Sequence, residues 1–234
     1  MRPIVERLLK LDWSKEGLFY NEHVQSIVDM QLTQSERHEL CDILRNSVDC
    51  DLIGTVTGVM KADACPEYDA ALKDALDRDD TQIVKYAAMA LIAKRSAGYL
   101  QLLFKSSKAQ EALGDDIAFE LSGRGSEFTD EMRSKFLQMF CERFDKDTPR
   151  LDAMTAPWFR MLAELGETND EIARILVRIW HELKPSDSHN RYLVLLAMSA
   201  RPHLSYEPIL RAAAKSKVGD LRELGQDGLH KLGE

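Results

Sequence analysis

The sequence predicts an all-α fold of stacked antiparallel helical hairpins, and three observations carry that expectation. Ala, Leu, Glu, Lys, Arg and Met, the good helix formers, are abundant. Only 12 Gly and 7 Pro in 234 residues leave few places for turn-rich β-structure. Apolar residues recur at three- and four-residue spacing, with capping residues standing ahead of many of these stripes.

Taken in order, Ile4, Val5, Leu8, Leu9 and Leu11 mark a first helix, and Val24, Ile27, Val28 and Leu32 a second. Thr33-Gln34-Ser35-Glu36 is a capping box, because Thr33 can accept from the amide three residues on while Glu36 reaches back. Asp49 can cap the next helix, in which Leu52, Ile53, Val56, Val59 and Met60 repeat at helical spacing. The β-branched run DLIGTVTGVM also admits a strand, but it lacks strict alternation, and a helix is expected. Pro66 suits a first turn ahead of Tyr68, Ala71, Leu72, Ala75 and Leu76. Asp79 and Asp80 then end one helix and cap another, expected from Thr81 to Arg95. Shorter helices are expected at Tyr99 to Lys105, Lys108 to Leu113 and Asp115 to Leu121.

The most loop-like stretch is SGRGSEF, residues 122–128, and it is the candidate break in what otherwise reads as one domain spanning 1–234. Thr129 caps a helix carrying Met132, Phe136, Met139, Phe140 and Phe144. Thr148-Pro149 and Ala156-Pro157 read as entries with proline in a first turn, and Gly166 as a stop. Asn169 caps a helix from Asp170 to Leu183, with two carboxylates in its first turn. Ser186 or Asp187 caps another, which ends before Pro202; helices at Tyr206 to Lys215 and Gly219 to Leu232 complete eleven to thirteen.

Two of these segments resemble one another. Val84-Lys85-Tyr86-Ala87-Ala88-Met89-Ala90-Leu91-Ile92 and Leu221-Arg222-Glu223-Leu224-Gly225-Gln226-Asp227-Gly228-Leu229 share an aliphatic residue, a following base, a small residue and a closing aliphatic eight positions on. Arg191 to Met198 parallels the first of them from Lys85 onward. The pattern resembles the second helix of HEAT-like repeats over about a third of the chain. That resemblance implies a right-handed α-solenoid, with an irregular middle between Ser96 and Pro149 where the spacing breaks.

Residues able to carry chemistry are sparse in pattern. His181-Glu182 begins like a zinc-protease motif, but the fifth position is Pro185, and His23, His38, His189, His203 and His230 are scattered. Cys41, Cys50, Cys65 and Cys141 have no metal spacing and read as reduced core thiols. Asp79-Asp80 and Asp115-Asp116 could hold a divalent ion, yet their places at helix starts account for them as caps. Gly123-Arg124-Gly125 lacks the strand and the Lys-Ser/Thr of a phosphate loop. Trp13, Trp158 and Trp180 lie in apolar stripes, where core packing, the favoured reading, or an interface hot spot would suit them. No catalytic residue, metal or cofactor is therefore expected. The N-terminus shows no secretory h-region and no apolar run reaches the roughly 20 residues a membrane helix needs, so a cytoplasmic protein without membrane contact is expected.

Charge is the remaining lead. Residues 1–80 hold 17 acidic and 9 basic side chains, whereas residues 81–234 hold 22 of each; residues 172–219 are locally basic, with eight against three. Such a chain is expected to be a charge dipole along its axis. An acidic surface attracts a basic partner and repels phosphate. The expected function is therefore a non-catalytic module binding a basic protein, most specifically an inhibitor or immunity protein against a toxin domain. The expected contacts are Asp49, Asp51, Asp63, Glu67, Asp69, Asp74 and Asp77, near helix ends. A general adaptor or assembly scaffold is a close variant. HEAT-like DNA glycosylases share the implied architecture, and Trp180, Tyr192 and Asp187 in the basic stretch are the residues such an enzyme could use, although the overall charge argues against nucleic acid.

Overall fold

The computed structural model describes Glu6, Val28, Asp29 and residues 31–94, 96–145 and 155–233. The expected helices at 4–11 and 21–32, together with Trp13, His23 and Thr148-Pro149, fall wholly or largely outside these residues. Among the described residues there are thirteen α-helices and no strand. They group into two compact units, Met1–Gly114 and Asp115–Glu234. The expected break at 122–128 thus lies inside the second unit.

In the first unit, α1 (Gln34–Asn46) opens on the expected capping box, with Glu36 N donating to Thr33 Oγ1 at 3.3 Å and Thr33 N to Glu36 Oε2 at 2.9 Å. Asp49 caps α2 (Cys50–Asp63) by accepting from the amides of Asp51 and Leu52, so DLIGTVTGVM is helical. Its Thr55 and Thr57 hydroxyls donate to carbonyls four residues back, which lets these β-branched residues sit buried in a helix. Pro66–Tyr68 forms a 3-10 turn into α3 (Asp69–Ala75), and Asp80 caps α4 (Thr81–Ala93). Two short helices, α5 (Ala97–Lys105) and α6 (Ser107–Leu113), follow.

The second unit runs through α7 (Asp116–Leu121), α8 (Asp130–Phe144), α9 (Ala156–Leu165), α10 (Asp170–Glu182), α11 (Ser188–Ala200), α12 (Glu207–Ala214) and α13 (Gly219–Leu232). Thr129 and Asn169 cap as expected, and Gly166 ends α9 in the left-handed region at φ 59°. Two caps differ from expectation. Asp115 makes no cap bond because Arg143 takes its carboxylate at 2.5 Å, and Asp187 accepts from Lys184 N at 3.2 Å instead of capping α11.

Within each unit, helices two apart in the chain lie side by side. In the first, α1 packs on α3, and α2 on α4 and α4 on α6; in the second, α8 packs on α10, while α7, α9, α11 and α13 form a second row. An amphipathic helix cannot bury its apolar face alone, and contact between alternate helices covers these faces within each unit. The core of the first unit includes Leu40, Leu44, Ile53, Val56, Met60, Tyr68 and Leu91, all fully buried. In the second, Trp158 stacks on Phe136 at 5.1 Å, and Phe140, Phe144 and Phe159 complete an aromatic cluster. The irregular spacing around Ser96 to Pro149 covers the short helices α5, α6 and α7, where the first unit ends and the second begins.

The small residues of the repeat-like segments serve close approach. A Cβ at Gly225 of α13 would lie 2.4 Å from Ala214 N and 2.8 Å from Leu210 O, backbone that cannot step aside. Gly225→Ala is accordingly expected to cost about 1–3 kcal/mol through overpacking, read as a lower urea midpoint for unfolding. Gly219→Ala, at a position with open space around it, should be neutral within about 0.5 kcal/mol in the same measurement.

Candidate functional site

The acidic residues of the first unit sort by the two ends of its helices. The Cys50 thiol, at the start of α2, lies 3.6 Å from Asp80 Oδ2 at the start of α4, so these parallel helices begin together. Arg78 donates to the carbonyls of Leu44 at 2.9 Å and Ser47 at 2.8 Å, which ties the α3–α4 turn to the end of α1. Lys108, from α6, donates to Asp77 O at 2.8 Å and Asp79 Oδ1 at 2.9 Å. Asp49, Asp51, Asp77, Asp79 and Asp80 therefore gather where successive turns line up, with Asp74 beside them on the last turn of α3, 3.2 Å from Arg45. Val48, among the few large apolar side chains left exposed, stands in the same α1–α2 turn.

Asp63, Glu67 and Asp69 lie at the opposite end. Since α2 alone is 14 residues long, the two groups are roughly 20 Å apart, and the seven expected contact residues do not form one patch. Nor are all seven exposed. Asp63 receives a two-pronged bond from Arg37 at 2.9 and 3.3 Å and a third from Tyr68 Oη at 2.6 Å. Asp69 pairs with Lys94 at 2.5 Å and with the Tyr99 hydroxyl, while Lys94 also donates to Cys65 O at 2.6 Å. These two carboxylates are half-buried and fix one hairpin on the next, whereas Asp49, Asp51, Glu67, Asp74 and Asp77 are exposed.

Burial raises the carboxyls of Asp63 and Asp69, but hydrogen bonds from Arg37 and Tyr68 in one case, and from Lys94 and Tyr99 in the other, more than offset it and leave both below the usual carboxylate range. The bond to Asp69 pushes the Tyr99 hydroxyl up to about 12. Counted by unit, the first holds 18 acidic and 14 basic residues and the second 21 and 17, so each carries −4. The acidic excess of residues 1–80 is halved within its own unit by Lys85, Lys94, Arg95, Lys105 and Lys108, set against Glu111.

The second unit repeats the stitching with other residues. Arg143 holds Asp115, Arg174 holds Asp145 at 3.0 Å, Arg133 donates to Leu165 O at 3.0 Å, and Arg178 donates to Phe144 O. Ser199 and Lys231 both reach Asp227, at 2.8 and 2.6 Å. The SGRGSEF loop is closed by a chain carboxylate: Glu164 accepts from Gly123 N at 2.9 Å and Gly125 N at 3.4 Å, and Arg124 turns aside to Glu127 at 2.6 Å. Glycine is required here, because residue 123 has φ +81° and a Cβ at residue 125 would meet Glu164 Cβ at 3.0 Å.

The remaining sequence candidates take structural places. His181 and His189 are exposed and His203 bonds Asp170 at 3.0 Å; among the described residues no three His, Cys, Asp or Glu side chains are placed to hold a metal. Trp180 is buried with the Arg191 guanidinium 4.2 Å from its ring centre. Burial pushes the Cys141 thiol up to about 11. No helix of the described residues is long and apolar enough to cross a membrane.

Comparison of the chain with known protein families, with characterised proteins and with solved structures finds no match. The site is therefore argued from its own geometry.

Two outcomes follow. A carboxylate whose folded pKa lies below its unfolded value stabilises above the unfolded value, about 4, and loses that contribution as pH falls through the folded one. Stability measured by denaturant titration should thus fall below about pH 4, and Asp63→Asn combined with Asp69→Asn should flatten that fall while lowering stability at neutral pH. Removing the anion from the loop by Glu164→Ala should cost about 1–3 kcal/mol and speed amide exchange at Gly123 and Gly125, because two amide donors lose their acceptor.

Proposed function

We propose that this protein is a non-catalytic binding module whose first unit presents an acidic end to a basic protein partner. The observation that carries the reading is the alignment of the α1–α2 and α3–α4 turns. It gathers the exposed side chains of Asp49, Asp51, Asp77, Asp79 and Asp80 at one end of the unit, around the exposed Val48. Helix starts also favour carboxylates there, so the charge is fixed in place rather than carried on long mobile side chains. An exposed apolar side chain in the same turn as carboxylates suits a partner that brings both a basic face and a small apolar contact, since complementary charge guides encounter and excludes wrong partners.

The contact set is narrower than composition suggests. Asp63 and Asp69 serve the interior, which leaves Asp49, Asp51 and Asp77, with Asp74 adjoining, as the contacts of this end, and Glu67 at the far one. We further infer that each unit is a short HEAT-like stack. Side-by-side packing of alternate helices and the recurrence of cross-hairpin bonds at separations near 30 residues both support this, as do the small residues at the α12–α13 contact. The most specific form of the proposal is a cytoplasmic inhibitor that neutralises a basic toxin domain. Acidic surface charge and rigid helical presentation are what such an inhibitor needs against a nuclease-like target.

Asp51→Lys with Asp77→Lys tests it, because both side chains are exposed and neither is a cap. Binding to a basic nuclease domain that the wild-type protein inhibits should weaken at least tenfold by calorimetry, and wild-type affinity should itself fall with salt. Affinity unchanged by the double reversal and insensitive to salt would remove the acidic end from the account.

A further inference from the structure

We draw no further inference here: the strongest candidate, the open groove between α8 and α10 where Glu142 and Glu171 flank Leu137 and Cys141, is an acidic cluster whose carboxylates already accept from Gln138 and the Cys141 thiol, and nothing in the structure shows what covers it.

Discussion

The structure depends on a charged or polar side chain reaching from one helical hairpin to the next. Packing of apolar faces supplies most of the stabilisation, but it is non-directional and leaves the register of one hairpin on its neighbour loosely specified. Hydrogen bonds are directional. Tyr68 on Asp63, Tyr99 on Asp69, Arg78 on Leu44 O and Ser47 O, and Lys108 on Asp79 set the first unit; Arg174 on Asp145 and Lys231 on Ser199 O do the same in the second. Several end on backbone carbonyls at helix C-termini, which no helical amide can satisfy, so one cation both caps a helix and fixes its neighbour.

That arrangement explains why the acidic composition divides into two kinds of carboxylate. One kind is half-buried, held by a base and a tyrosine hydroxyl, and set below the usual carboxylate range. The other stands at aligned turns, where it caps or lies beside a helix start and faces solvent. Counting charges along the chain merges them. The cations that answer these acids lie 25 to 29 residues away on either side, Arg37 and Arg45 upstream and Lys94 and Lys108 downstream, and the polarity between the first 80 residues and the rest vanishes when charge is counted by unit.

Most of the secondary structure was legible in the sequence, because it is written in local terms. The Thr33–Glu36 box, the Asp49, Asp80, Thr129 and Asn169 caps and the Gly166 stop are decided within four residues of themselves. Asp115 was misjudged for the opposite reason: its carboxylate is claimed by Arg143, 28 residues away, a competitor that no local pattern shows. The candidate site was legible only as a set of residue types. Which acids are exposed depends on where Arg37 and Lys94 land, and that is settled by hairpin stacking. The division of contacts at Gly114 has no compositional mark, whereas SGRGSEF, the most loop-like stretch, is pinned to α9 by Glu164.

The central claim is that directional contacts between successive hairpins, and not apolar packing alone, hold their register. A double-mutant cycle on Tyr99→Phe and Asp69→Asn, a pair that joins α5 to α3 of the hairpin before it, read by urea unfolding of the full chain, tests it most directly. The account predicts a coupling above about 0.5 kcal/mol, within the range found for residues in one hydrogen-bonded network. Effects that add to within about 0.3 kcal/mol would contradict it, and would return the fold to hydrophobic packing alone.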